Sequence, residues 1–152
     1  MENKYNLELN EESNYEVITD YIKDVSIEIP TYETYVETKL NNLESYETRI
    51  NIKSIQLENR IIEIECKVAL IAPDEIKKKI RVEVYYGIIF KFNNIKKLAE
   101  KEVKKIIIAE IPNLFKEKIT TTISELFKIA GFDNFRFKKE IDFIKLYEDK
   151  NN

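Results

Sequence analysis

The hydrophobic pattern of this chain changes its period once, near residue 94, and that change limits the folds open to it. Before that point, apolar and polar residues alternate in four runs, over residues 15–29, 46–55, 60–71 and 79–92. Alternation with a period of two predicts β-strands with one buried face. After Asn94, apolar residues recur at helical spacing instead. The pattern predicts a β-sheet of four strands followed by helices.

The connections between these runs differ in length. Glu58–Asn59 is a plausible turn between the second and third runs, and residues 72–74 begin the turn before the fourth. Short turns favour antiparallel neighbours. Residues 31–45 form a long connection with neither strand nor helix spacing, and compact domains rarely keep such a loop unless it has a function.

The first strand has a polar and an apolar face. Val25, Ile27 and Ile29 lie on one face by parity, and Asp24 and Glu28 lie on the other. Strict alternation extends these two faces towards the N-terminus, with Val17, Thr19, Tyr21 and Lys23 on the first and Ile18, Asp20 and Ile22 on the second.

The second half of the chain carries several helix signals. Asn94 can cap a helix, and Pro112 favours the first turn of a new helix while disfavouring continuation at Ile111. Gly131 is a natural stop for that second helix. Residues 139–148 are consistent with a short final helix. The predicted fold class is therefore α+β: a four-stranded antiparallel sheet with helices packed on one face.

The chain of 152 residues suits one domain. We expect residues 1–14 to form a flexible polar tail, residues 15–148 the folded domain, and residues 149–152 a disordered C-terminal tail. The N-terminal residues do not resemble a signal peptide, and no apolar run reaches the ~20 residues that cross a bilayer. We therefore expect a cytoplasmic protein without direct membrane insertion.

The composition excludes several kinds of chemistry. The chain has no histidine, one cysteine and two glycines, so an ordinary zinc site, a Cys–His nucleophile and a Gly-rich phosphate loop are all ruled out. The net charge of −3 argues against nucleic acid as the main partner. We expect no metal, no cofactor and no enzymatic activity. A catalytic or small-molecule-binding domain is an alternative that nothing in the sequence requires.

Four segments, taken in order, resemble the SecB family of protein-export chaperones. Residues 21–30 (YIKDVSIEIP) resemble its first strand, and residues 83–90 (EVYYGIIF) resemble its fourth. Residues 112–114 (PNL) with Gly131–Phe132 resemble the long-helix region and its end. Residues 141–147 (IDFIKLY) resemble the closing segment. Departures include Ile88 where the family usually has glycine, and a connection without the family's tryptophan.

The resemblance implies a homotetramer, arranged as a dimer of dimers, that binds unfolded precursor polypeptides in hydrophobic grooves. In the family these grooves lie between the sheet, the crossover connection and the long helix. Carried over to this sequence, the peptide-binding residues are Tyr32, Tyr35, Val36, Tyr46, Ile123, Leu126 and Phe127. The simpler reading of the helix residues is that they belong to the core.

The resemblance also implies an acidic docking site for the export motor ATPase SecA. Asp24, Glu28 and Glu83 are its counterparts here, on the outer face of the sheet. Arg81 could pair with Glu83 and weaken such docking. Two functions follow as alternatives: a general export chaperone that delivers precursors to SecA, or a SecB-like chaperone dedicated to one client, such as the antitoxin of a toxin–antitoxin system.

Overall fold

The computed structural model describes residues 13–137 and 141–151. Four strands, β1 (Tyr15–Glu28), β2 (Glu47–Gln56), β3 (Ile61–Ile71) and β4 (Arg81–Phe92), form one sheet with the order β1-β4-β3-β2. All neighbouring strands are antiparallel. The sheet confirms the prediction of four antiparallel strands, whose β-branched and aromatic residues suit a pleated, half-buried surface.

The connection between β1 and β2 is helical, which corrects the prediction of an irregular loop. It consists of α1 (Tyr32–Glu37), a π-helical turn (Thr38–Asn42) and a 3-10 turn (Leu43–Ser45). The Thr31 hydroxyl caps α1 by accepting the N–H of Thr34 at 3.1 Å. Thr34 and Thr38 of this segment are buried. A helix that buries threonines lacks the apolar stripe that sequence analysis detects.

Two β-bulges in β1 correct the predicted faces of that strand. The pairing with β4 shifts between Val17 and Thr19 and again between Ile22 and Asp24. Each bulge inserts one residue and reverses the parity of the strand. Between the bulges, Asp20 and Ile22 therefore lie on the core face, whereas Thr19 and Tyr21 lie on the outer face. After the second bulge the predicted parity holds.

The helices after β4 differ in detail from the prediction. Ile95–Lys97 forms a 3-10 turn, and α2 (Glu100–Lys105) begins after Ala99, so Asn94 does not cap it. A π-helical turn (Ile106–Glu110) leads directly into α3 (Ile111–Leu114), whose first turn contains Pro112. The chain stays helical at Ile111 because the proline falls where its missing N–H is not needed.

The long helix α4 (Lys116–Ile129) crosses the sheet and ends as predicted at Gly131. The N–H of Phe132 donates to the carbonyl of Phe127 at 2.8 Å, and the N–H of Gly131 donates to the carbonyl of Lys128 at 3.1 Å. With Gly131 at φ +100, this is a Schellman motif. The buried face of α4, formed by Ile119, Ile123 and Phe127, belongs to the same core cluster as the core-face residues of β3 and β4.

The structure describes only parts of the two predicted tails. Residues 1–12 of the expected N-terminal tail lie outside the described residues. The carbonyls of Ser13 and Asn14 accept hydrogen bonds from Asn93, at 2.8 and 2.9 Å. The last helix, α5 (Phe143–Asn151), continues into the predicted C-terminal tail, so residues 149–151 are helical. Asn152 also lies outside the described residues.

Candidate functional site

A groove of about 890 Å³ opens at the end of the sheet where β2 begins. It lies between β2, the 3-10 end of the β1–β2 connection, the segment that follows α4, and α5. We name it the aromatic groove. Its apolar lining consists of Leu43, Tyr46, Ile50, Leu70, Phe132, Phe135, Phe137, Ile141 and Leu146.

Phenylalanine rings form the floor of the aromatic groove. Phe135 stacks on Phe127 of α4 with ring centroids 4.1 Å apart, and Phe137 meets Phe135 edge-on at 5.0 Å. Phe132 packs against Phe127 at 5.8 Å, which is the apolar contact that accompanies a Schellman motif. The end of α4 therefore positions these rings in the groove, because Gly131, with its positive φ, turns the chain back over the helix.

Two tyrosines join the groove to the rest of the fold. Tyr46 lines it, and its buried hydroxyl accepts the N–H of Ile80 at 3.0 Å. Tyr35 of α1 lies behind Phe132, with ring centroids 5.3 Å apart, and donates its hydroxyl to the carbonyl of Gly131 at 2.9 Å. These hydrogen bonds hold the β1–β2 connection against β4 and the end of α4, so the groove has a fixed wall.

The rim of the groove is charged and the wall beside it is an open strand edge. Five carboxylates and three cations line the rim: Glu44, Glu47, Asp133, Asp142 and Asp149 against Lys39, Arg136 and Lys145. The sheet order leaves one edge of β2 without a strand partner in the described part of the chain. The site therefore offers apolar surface, backbone hydrogen-bonding groups and a net negative rim to a ligand.

Comparison with known proteins identifies the family of this chain. The family model "Preprotein translocase subunit SecB" matches residues 8–152. A SecB-type protein-export protein of Pelagibacter ubique is 32% identical over 139 residues, which span 91% of this chain and 98% of that protein. The chain belongs to the SecB family. Family membership supports a chaperone role in protein export.

One solved structure shares this SecB fold. It is the SecB-like chaperone Rv1957 of Mycobacterium tuberculosis, in complex with a ChAD peptide from the HigA1 antitoxin. The TM-score is 0.60 at 6% sequence identity, and the match covers 85% of this chain and 88% of that one. At this identity, the likeness bears on the fold alone.

The seven predicted peptide-binding residues do not all meet in one place. Tyr46 lines the aromatic groove and Tyr35 supports it from behind, whereas Tyr32 is 78% exposed at the start of α1 and Val36 is half-buried outside the lining. The three remaining residues belong to α4: Ile123 and Phe127 are buried in the core, and Leu126 faces a shallow depression on the other side of the helix.

Sequence reasoning missed the residues that form most of the groove. Phe132, Phe135 and Phe137 were assigned no role, although three phenylalanines within six residues after a helix stop are unusual in a polar connection. Leu43, Ile141 and Leu146 also line the groove. The run GFDNFRF was the available signal, because phenylalanines are usually buried and three of them so close together predict an aromatic cluster.

The three predicted acidic residues all lie on the outer face of the sheet. Asp24 and Glu28 are exposed, and Glu83 sits beside them on β4. Glu83 forms an ion pair with Lys67 at 3.2 Å rather than with Arg81, which lies opposite Glu28. Two of the three carboxylates therefore have a cation beside them on the same face.

Two further carboxylates on this face, Glu63 and Glu65 of β3, are bonded to side chains of β1. The ammonium of Lys23 contacts Glu63 at 2.9 Å and Glu65 at 2.7 Å, and the Tyr21 hydroxyl donates to Glu63. Hydrogen bonds to Glu65 and Glu63 raise the pKa of Lys23, and the bond from Lys23 lowers the pKa of Glu65. We name these four residues the outer clasp. Lys53 also contacts Glu65, at 3.4 Å, so two ammonium groups match the two carboxylates of the clasp.

Other possible sites are few in the described residues. Cys66 is buried, and burial raises the pKa of its thiol to about 12, so it is a poor nucleophile and metal ligand. No group of three His, Cys, Asp or Glu side chains among residues 13–137 and 141–151 could hold a metal ion. Over the same residues, no helix is both long and apolar enough to cross a bilayer.

Proposed function

We propose that this chain is an ATP-independent cytoplasmic chaperone that holds non-native polypeptides in the aromatic groove and keeps them competent for export. The observation that carries the proposal is an open, largely apolar groove beside the edge of β2, which has no strand partner in the described part of the chain. Apolar contacts and backbone hydrogen bonds do not depend on a particular client sequence, so such a groove accepts many extended segments. Its net negative rim favours segments that carry basic residues.

Two leucines of equal exposure allow a matched test of the groove. Leu146 lines it and is 41% exposed, whereas Leu57 lies at the β2–β3 turn, outside the lining, and is 39% exposed. Both are replaced by glutamate in the full chain, and the aggregation of several chemically denatured clients is followed by light scattering. We expect Leu146→Glu to weaken client holding about tenfold, since it places a charge in an apolar site. Leu57→Glu should behave as the parent chain does. Equal behaviour of the two variants would contradict the proposed site.

Exposed apolar residues also support assembly into a homotetramer. Ile18, Tyr21 and Ile22 are each at least 40% exposed on the edge strand β1, and Ile129 on α4 is 83% exposed beside the depression that contains Leu126. Such surfaces are commonly covered by protein partners. Size exclusion coupled to light scattering should give the mass of four subunits, and Ile129→Glu should reduce it. A monomer at micromolar concentration would exclude the tetramer.

Delivery of clients to SecA is the finer part of the proposal, with Asp24, Glu28 and Glu83 as the docking residues. Asp24 is exposed and has no ion-pair partner among the described residues, so it is the best placed of the three. Asp24→Lys with Glu83→Lys should abolish SecA binding in a pull-down. The charge-neutral change Ser26→Thr, on the same strand face, is the control. Unchanged SecA binding by the double variant would contradict the assignment of these residues as the docking site.

A dedicated client, such as an antitoxin, is the alternative function. Two observations favour it: the structurally similar Rv1957 chaperone is bound to an antitoxin peptide, and cations neutralise most of the outer face here. The client range separates the alternatives. A general chaperone protects several unrelated denatured proteins in the light-scattering assay, whereas a dedicated one protects none of them and binds a single native partner.

A further inference from the structure

Five exposed lysines lie within ten residues between β4 and the π-helical turn. They are Lys96, Lys97, Lys101, Lys104 and Lys105, and we name them the lysine face. The first two belong to the 3-10 turn Ile95–Lys97 and the other three to α2. They lie outside the aromatic groove and outside the outer clasp, so neither feature explains them.

The geometry of α2 turns its lysines towards solvent. Lys101, Lys104 and Lys105 are spaced i, i+3 and i+4, which places them on one side of the helix. Val103, the half-buried residue of α2, lies on the opposite side. The helix therefore rests on Val103 and presents its cations outward.

Unlike four lysines of the sheet, those of the lysine face have no carboxylate partners among the described residues. Lys23, Lys53, Lys67 and Lys91 each pair with a glutamate. None of the five lysines of the lysine face takes part in an ion pair within the described ranges.

The local charge is opposite to that of the whole chain. Residues 95–105 contain five lysines and two glutamates, which leaves three net positive charges, whereas the chain carries −3. Charges separated by more than about 8 Å are largely screened at physiological ionic strength. A partner that touches this face therefore meets a cationic surface and not the average charge of the protein.

The side chains around the lysines favour a lipid surface over nucleic acid. Residues 94–105 contain no aromatic side chain, so bases would have nothing to stack on. Ile95, beside Lys96, is 45% exposed and could enter the boundary between headgroups and acyl chains. Clusters of four to eight lysines bind anionic headgroups, each lysine strengthening the partition by on the order of fivefold.

We propose that the lysine face docks this protein on the anionic phospholipid headgroups of a membrane surface. Docking is peripheral, since it uses exposed lysines and one isoleucine and leaves the fold unchanged. It does not depend on the aromatic groove, so client holding and membrane docking can succeed or fail separately.

The test is sedimentation of the full chain with vesicles in ~50 mM salt, with phosphatidylglycerol–phosphatidylcholine mixtures compared against phosphatidylcholine alone. The variant Lys96→Gln, Lys97→Gln, Lys101→Gln removes three charges from the lysine face. A matched control, Lys77→Gln, Lys78→Gln, Lys79→Gln, removes three charges from the β3–β4 connection.

We expect binding to the anionic vesicles only, a loss of at least tenfold in the first variant and less than twofold in the control. Binding should also fall as salt rises from ~50 to ~300 mM, because screening weakens the attraction. Equal losses in the two variants, equal binding to phosphatidylcholine, displacement by polyuridylate RNA at stoichiometric amounts, or no sedimentation at all would each overturn the proposal.

Discussion

Two tyrosines on opposite faces of the sheet perform the same task in different surroundings. Tyr86, on the core face of β4, is 2% exposed and donates its hydroxyl to Asp20. Tyr21, on the outer face of β1, is 40% exposed and donates to Glu63. Each links β1 to the rest of the sheet through a carboxylate. The two contacts differ in how easily a water molecule could take the place of the tyrosine hydroxyl.

The core-face carboxylate is sealed under α4. The side chain of Asp20 is 1% exposed, and besides Tyr86 it contacts the ammonium of Lys118 at 2.6 Å. Its other oxygen has no hydrogen-bond partner among the described residues. Glu63 also has a tyrosine and an ammonium as partners, but Tyr21 contacts its Oε1 and Lys23 its Oε2, so both of its oxygens are bonded. A buried polar group costs more when it loses a partner, because water cannot take that partner's place.

Loss of the core-face hydroxyl should have the largest effect on stability. We expect Tyr86→Phe to lower the free energy of unfolding by about 2 kcal/mol, since Asp20 stays buried with one partner fewer. Urea denaturation followed by circular dichroism measures this. A loss no greater than that of Tyr21→Phe would break the comparison, and would mean that water reaches Asp20.

The outer clasp depends on the absence of a side chain at Gly87. A Cβ there would lie 2.7 Å from the ring of Tyr21 and 3.1 Å from Glu63. Gly87→Ala should therefore cost about 1 kcal/mol by displacing the tyrosine. In a double-mutant cycle with Tyr21→Ala, most of that cost should disappear, because the clashing ring is gone. Additive effects would show that Gly87 serves another purpose.

Removal of the outer-face hydroxyl should be milder. We expect Tyr21→Phe to lower the free energy of unfolding by about 0.5 kcal/mol, because the half-exposed Tyr21 hydroxyl can be replaced by water and Lys23 remains on Glu63. The urea midpoint measures the change, with the exposed Tyr32→Phe, for which no hydrogen bond is described, as the control. If Tyr21→Phe lowered the free energy of unfolding more than Tyr86→Phe does, the outer-face contact would be the stronger of the two.

The ion pair of the outer clasp should make a small contribution that depends on pH. The lowered pKa of Glu65 means that its stabilisation is present above the unfolded-state value of about 4.3 and is lost as pH falls through the folded-state pKa. Lys23→Gln should thus be less stable than the parent by a few tenths of a kcal/mol at pH 7. The gap should shrink as the pH falls below that unfolded-state value.

Urea midpoints at pH 7, 5 and 3 measure that gap. The control is Lys77→Gln, which changes the charge equally at a lysine without a described ion pair. A gap that stays constant from pH 7 to pH 3 would mean that Lys23 acts through its alkyl chain and not through its charge.

The regular elements were predictable because local residues decide them. Alternation in residues 60–71 and 79–92 identified β3 and β4, where no bulge disturbs parity. Gly131 marked the end of α4 because few other residues adopt its positive φ. The outer-face positions of Asp24 and Glu28 were also correct, since both follow the second bulge.

The missed features all depend on residues far apart in the chain. The bulges in β1 are defined only against β4, so the side of the sheet that Asp20 occupies could not follow from its neighbours. The aromatic groove joins residues from the β1–β2 connection, β2 and the C-terminal segments. Phe127, whose client-binding role stays a prediction, is fully buried and stacks on Phe135.

The sequence alone determined the number and type of the strands, the long helix and its stop, and the family, because periodicity, turn residues and motifs are written locally. Only the tertiary structure decided which side chains share a site. Strand register and helix placement bring together residues such as Tyr46 and Phe135, or Lys118 and Asp20. Those arrangements minimise the free energy of the whole packed chain, so no single segment encodes them.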